Sequence, residues 1–287
     1  MTHRSLPIIS NTDGPPAGGG PSSVLTPSKI RTFMNCPRRF EFQYVSKVPE
    51  RATTSAVLFG KAMHAALERF HVALRDNLIL LPLDLAPTFA NALDGESAKY
   101  STILFRQGET RFSLVAEARR LLELYRNVAL RFDIAEVEHR FEVALALGED
   151  VSRAAVLRGK IDLLTKEPGI VEFKTTRRRP STNAQNFDDN LQLLAYAFAH
   201  HATFGVIPAV SFVYFVRGDW PEIITYKATP SVAQFEFFRS LVEDVRSRID
   251  SGLYLPNPGK LCEFCPYQTP CNPVIEAPPP PRAPSMH

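Results

Sequence analysis

The segment GIVEFKTT, residues 169–176, reads as a strand that carries charge at alternate positions. A period of two puts Glu172 and Lys174 on one face, with Val171 and Phe173 on the other. Glu-x-Lys alone describes an ordinary solvated edge strand. Upstream, however, LRGKIDLL places Asp162 between Ile161 and Leu163 in a second apolar strand. A charge there must meet water, a partner or a metal. The intervening KEPG reads as a hairpin turn, and pairing across it brings Asp162 close to Glu172. Two carboxylates at close range repel, and a hard divalent cation relieves that repulsion. A lysine beside them can orient a water or stabilise charge on a phosphorus centre.

The rest of the chain supplies the elements around this hairpin. Thr26 reads as an N-cap with Pro27 at the first helical position, and Pro37 breaks that helix directly after Cys36. Phe59, Met63, Ala66, Phe70 and Leu74 recur at helical spacing. Residues 76–110 read as irregular, a helical insertion with loops, and RFSLVAEARRLLELYRNVALRF as a long helix. EHRFEVALAL and AAVLRGKIDLLTK are strand-like, as are AVSFVYFVRG and EIITYKA further on. Helices are expected over DDNLQLLAYAFAHHATFG, which Gly205 closes, and over SVAQFEFFRSLVEDVRSRIDSGL. The latter buries Phe235, Phe238, Val242, Val245 and Ile249. The order predicts an α/β or α+β fold on a mixed sheet.

GKIDLL, VEFKTT and LQLLAYA together resemble the motif series of the PD-(D/E)XK nuclease superfamily, in its RecB-like branch. The resemblance covers residues 25–273 and implies a restriction-endonuclease-like central sheet flanked by helices. It implies that Asp162, Glu172 and Lys174 form the catalytic core, with Gln192 and Tyr196 completing it from one face of the next helix. GKAMHAALE matches the Gly-x-x-x-His setting of a further metal ligand and gives that role to His64. Mg²⁺ or Mn²⁺ would then lie among His64, Asp162 and Glu172, with the Phe173 carbonyl as an extra ligand. Ile161 stands where the superfamily's name has proline. Glu68 and His71 lie on the same helical face as His64, so the helix could bind metal by itself, or His71 could be a surface residue.

Three of the four cysteines fall in CEFCPYQTPC, as Cys262, Cys265 and Cys271, while Cys36 stands far upstream. No apolar run has the roughly 20 residues of a membrane span, and the N-terminus lacks a signal-peptide core, so a cytoplasmic location is expected. Thiols stay reduced there, which favours metal binding over disulfides. Four thiolates suit zinc or an iron–sulfur cluster, and the three-plus-one spacing leans towards iron–sulfur. One group of RecB-like nucleases, which includes CRISPR-adaptation exonucleases and AddB-type nuclease domains, carries a 4Fe-4S cluster in this layout. That resemblance implies a structural clasp between the ends of the domain.

The formal charge of +3 neither requires nor excludes a nucleic-acid partner. Two local runs point towards one. Arg38 and Arg39 interleave with Phe40, Phe42 and Tyr44, a pattern suited to single-stranded nucleic acid, and Arg177, Arg178 and Arg179 follow the charged strand. The expectation is a metal-dependent DNA exonuclease acting on single strands or ends in recombination, repair or a CRISPR- or phage-related pathway, with any helicase a separate protein. The alternative is a nucleic-acid-binding subunit of a larger assembly with little chemistry of its own. One nuclease domain is expected over residues 24–273, with a helical insertion at about 76–133 and disordered tails at 1–23 and 274–287.

Overall fold

The computed structural model describes residues 20–145, 155–167, 169–181 and 190–272. Most of the expected N-terminal tail and all of the C-terminal one lie outside these residues. Gly20–Ser23 belong to the fold instead. Ser22 is buried with its hydroxyl on Asp250, and the Ser23 carbonyl accepts the Val156 N–H at 2.9 Å.

The chain runs β1 (Val24–Leu25), α1 (Pro27–Asn35), α2 (Pro37–Phe40), a π turn (Glu41–Val45), β2 (Ala52–Thr54), α3 (Ser55–Arg75) and α4 (Pro82–Ser97). It continues through β3 (Thr102–Leu104), α5 (Arg111–Ala129), β4 (Ile134–Leu145), β5 (Ala155–Thr165) and β6 (Gly169–Thr176). Then follow α6 (Leu191–Phe204), β7 (Ala209–Val216), β8 (Glu222–Ala228), α7 (Val232–Asp250), a 3₁₀ turn (Lys260–Phe264) and α8 (Gln268–Cys271). Thr26 caps α1 as expected, its hydroxyl accepting the Lys29 N–H at 3.1 Å. Gly205 ends α6 at φ 71°, a conformation that costs glycine little.

The main sheet is mixed. β4 and β5 pair antiparallel along their length, β5 and β6 form a hairpin, β6 and β7 are parallel, and β7 and β8 are antiparallel. Helix α6 makes the crossover that a parallel β6–β7 pair requires. Each face of the sheet has its own core. Ile170, Val210 and Phe212 pack with α1, α6 and α7, whose buried stripe contains all five residues expected from the sequence. Val171, Phe173, Val213 and Phe215 pack with α3, α4 and α5 on the other face. Burying each such side chain contributes roughly 1.5–3 kcal/mol. The span of the expected insertion, about 76–133, forms α4, α5 and the short β3, which pairs with β2 outside the main sheet. No helix of the described residues is long and apolar enough to cross a membrane.

One irregularity places the site. β4 occupies one edge of β5 throughout, so β1 and β6 share the other. β1 pairs only at Val156 and Leu157, and β6 only at Leu163, Leu164 and Thr165. Residues 158–162 of β5 therefore face a gap in the sheet, and Asp162 sits where β6 peels away.

Candidate active site

The hairpin does bring Asp162 and Glu172 together, although not through a continued ladder. Pairing stops at Leu163 and Val171, and the next N–H of β6 that points towards β5, that of Phe173, donates to Asp162 Oδ2 at 2.8 Å. Asp162 Oδ1 lies 3.1 Å from His64 Nδ1. Gly60 eases this approach. A Cβ there would lie 3.3 Å from Thr175 Oγ1, so glycine lets α3 come close to β6 one turn before His64.

Glu172 is 1% exposed. Its Oε1 accepts from Lys174 Nζ and from Gln192 Nε2, each at 2.7 Å. Gln192 Oε1 in turn accepts from Lys174 Nζ at 2.7 Å, and Gln192 Nε2 reaches the Tyr196 hydroxyl at 2.9 Å. The i, i+4 pair on α6 thus closes a ring of hydrogen bonds that fixes the lysine ammonium over the carboxylate. Gly159 leaves room for this arrangement. A Cβ there would overlap the Phe141 ring at 2.4 Å and crowd Tyr196 at 3.2 Å, and those two rings meet edge to face.

The electrostatics follow from burial and proximity. Burial pushes the Glu172 carboxyl up and Asp162 adds to the effect, only partly offset by Lys174, so it titrates at about 7. For Asp162, burial is outweighed by His64 and the Phe173 N–H, which hold it below the usual carboxylate range. Burial would depress His64, yet the Asp162 charge overrides it and raises the imidazole. Burial, reinforced by Glu172, raises the Tyr196 phenol.

Sequence reasoning missed Glu138. It stands on β4 beside the position facing Asp162, between the pairs Val137–Leu163 and His139–Ile161. Ligand atoms of His64, Glu138 and Asp162 all lie within 4.8 Å of one another. Glu138 adopts φ 56°, a left-handed conformation that costs a side-chain-bearing residue about 1–2 kcal/mol. Its carboxylate is paired with Lys160. The sequence signal was the acidic start of EHRFEVALAL, but no local pattern sets its register against β5.

The donors fit a hard divalent cation. Two carboxylates and one imidazole, those of Glu138, Asp162 and His64, converge, and Glu172 next to them has its Oε2 buried without a hydrogen-bond partner among the described residues. An oxygen left in that state is costly unless a cation completes it. Phe173 is at the junction through its backbone, while its ring lies on the opposite face, stacked on His71 at 5.1 Å.

Two expectations are corrected. His71 is neither a surface residue nor part of a metal site on α3. It is fully buried, with Nδ1 at 2.7 Å from the Leu67 carbonyl and Nε2 at 2.9 Å from the Tyr125 hydroxyl. Burial lowers it to about 4. Phe40 cannot stack on a base, because it is wholly buried between Phe33 and Tyr254. Phe42 packs on Tyr267, Tyr44 leans on Phe40, and Arg38 pairs with Glu41. This segment belongs to the joint between the chain's two ends. Arg177, for its part, is engaged by Glu109 and Glu117, and Arg179 by Glu222.

The four cysteines are free thiols near that joint, close enough to perturb one another's titration. Asn257 Nδ2 donates to the Asn35 carbonyl at 3.0 Å, next to Cys36. Burial pushes the Cys265 thiol up, and its neighbours Cys36 and Cys262 push it further. Cys271 is raised by burial and by the other three cysteines.

None of the curated proteins matches this sequence significantly. Among solved structures, a candidate exonuclease from Eubacterium rectale shares the fold, with a TM-score of 0.53 at 11% identity over 85% of this chain and 87% of that one. SSO0001 aligns at a TM-score of 0.37 and 15% identity over 84% and 93%. LHK-Exo, solved with dAMP, aligns at 0.30 and 12% over 69% and 91%. The family model of the PD-(D/E)XK nuclease superfamily matches residues 24–272, a span that includes every element of the site. The chain belongs to the PD-(D/E)XK nuclease superfamily.

Proposed function

We propose that this nuclease is a metal-dependent DNA exonuclease whose site is the junction of β5, β6, α3 and α6. The observation that carries the reading is the Lys174 ammonium, held by both Glu172 and Gln192 beside the Asp162 carboxylate. Asp162, Glu172 and His64 would hold Mg²⁺ or Mn²⁺, with Glu138 and the Phe173 carbonyl as further oxygen donors. Such a cation, when bound, polarises a phosphate and acidifies a water. The Lys174 ammonium would orient the attacking water or hold charge on the phosphate. Gln192 keeps the ammonium in place, and Tyr196 keeps Gln192 in place. Burial of Asp162 and Glu172 strengthens the interactions they make.

The Eubacterium rectale protein's description supports the exonuclease over the endonuclease form of the reading. End-blocked linear and circular single-stranded DNA test it with Mn²⁺. Release of nucleotides from free ends alone is expected, and cleavage of the circle would show an endonuclease.

The four cysteines would hold a 4Fe-4S cluster that fastens Cys36 to the C-terminal triplet, with zinc as the other candidate. Four neighbouring thiols are the donor set that either takes. Protein purified without oxygen is expected to absorb visible light and to contain iron and acid-labile sulfide. Colourless protein with one zinc per chain would contradict the cluster.

A further inference from the structure

Beyond the C-terminal ends of β6 and β7 lies a cleft of about 350 Å³, lined in part by Arg106, Glu109, Glu117, Arg120, Arg177 and Asp219. We infer that this cleft and the aromatic residues on its rim bind the single-stranded DNA that leads into the active site. The inference rests on the nuclease reading and adds to it the strand form that is taken and the surface that takes it.

The cleft has rigid walls. Arg217 follows β7 and is 4% exposed. Its guanidinium lies 3.7 Å from the Phe59 ring centroid and donates to Glu117 from Nε at 3.0 Å and from an Nη at 2.6 Å. Glu109 accepts from Ser55, from Arg177 at 2.5 Å and from the Arg106 N–H at 3.1 Å. One ion network therefore ties together the loop before α5, the start of α5 and the ends of β6 and β7. Because Arg177 and Arg217 neutralise Glu109 and Glu117, both acids are spent. Arg106 and Arg120 line the same cleft as Asp219, and among the described residues no ion pair or hydrogen bond engages their guanidiniums.

The rim is aromatic. Trp220 is the chain's single tryptophan and is 88% exposed at the tip of the β7–β8 loop, next to Asp219. Phe112 is 82% exposed beside the lining residue Ser113, and the exposed Phe105 precedes Arg106. Each of these three exposed rings is next in sequence to a residue that lines the cleft. Rings that offer their faces, together with free guanidiniums, match unpaired bases and their phosphates, whereas a duplex hides its base faces. The route is short in sequence, since Arg177 on the cleft wall is three residues beyond Lys174.

The single tryptophan supplies the test. Full-length protein is titrated with a twenty-nucleotide oligo-dT in EDTA, where no divalent cation supports cutting, and Trp220 fluorescence is followed. Saturable quenching is expected. By anisotropy, Trp220→Ala should weaken binding roughly 5- to 100-fold, and Trp220→Phe should restore most of it. Arg106→Gln with Arg120→Gln should flatten the salt dependence by about 1.4 in log–log slope, the value for two phosphates on a single strand. Unchanged fluorescence, equal quenching by a blunt duplex, a response confined to oligo-rU, or wild-type affinity in Trp220→Ala would each overturn the inference. Quenching without any metal-dependent cutting would sink the nuclease reading and leave this surface standing. Cutting with a silent Trp220 would do the reverse.

Discussion

Phe173 donates its backbone N–H to the carboxylate of Asp162, at 2.8 Å, where the β5–β6 ladder has already ended. A side chain thus takes over a backbone partner's role at the point where the sheet opens. Asp162 is for this reason structural as well as, in the proposed function, chemical, and the two roles separate by substitution. Asp162→Ala leaves a buried N–H unpaired and is expected to cost about 1–3 kcal/mol, read by urea denaturation. Asp162→Asn keeps an acceptor, removes the repulsion with Glu172, and should retain wild-type stability within about 1 kcal/mol. Equal losses in both variants would contradict this division.

Tyr196 acts on Lys174 only through Gln192. Tyr196→Phe removes one hydrogen bond from Gln192 and leaves those to Lys174 and Glu172 intact. Its rate of DNA cleavage is expected to fall less than tenfold. Gln192→Ala unfastens the ammonium itself and should fall further, towards the roughly 10²–10⁴-fold expected for loss of a proton-transferring group. The reverse order would break the proposed chain of support.

Glu172 makes stability depend on pH in a metal-sensitive way. Its folded carboxyl titrates at about 7 against 4.5 when unfolded. The folded state therefore binds the proton more tightly, and this contribution is present below about pH 4.5 and lost as pH rises through about 7. His71 works in the opposite sense. Lowered to about 4 from 6.5, it contributes stability above pH 6.5 that is lost as pH falls towards 4. Comparison with Glu172→Gln isolates the first effect. In EDTA, wild-type Tm should decline relative to the variant between pH 5 and 7.5, and Mn²⁺ should reverse the decline in wild type alone. A constant difference across this range would count against the buried carboxyl.

Glu138 combines strain with a position beside His64 and Asp162. Glu138→Gly relieves the left-handed backbone while deleting the carboxylate. The metal-free Tm is expected to stay within about 2–4 °C of wild type, the equivalent of roughly 1 kcal/mol. The rise in Tm on adding Mn²⁺ should shrink, and calorimetry should show weaker Mn²⁺ binding. Undiminished Mn²⁺ affinity would remove Glu138 from the site.

Much of this was legible in the sequence because the pattern was long or the spacing strict. β6 and β8 coincide with GIVEFKTT and EIITYKA, and the α7 stripe is buried at every expected position. The convergence of His64, Asp162, Glu172, Lys174, Gln192 and Tyr196 followed from motif order. What escaped has physical reasons. β1, β2 and β3 are two or three residues long, too short to display a period. Glu138 needed the β4–β5 register, which no local pattern specifies. Phe40 sits among arginines, and only the joint with Tyr254 shows that its ring is core. Trp220 carried no motif, and its meaning came from the cleft beside it.

The central claim is that these side chains cut DNA with a divalent cation. End-labelled single-stranded DNA with Mn²⁺ is the direct measurement, comparing wild type with Asp162→Asn and Lys174→Ala. The account predicts cleavage by wild type, abolished by EDTA, and a loss of at least about a hundredfold in each variant. Equal rates in all three proteins, or no cleavage by wild type with any divalent cation, would contradict it.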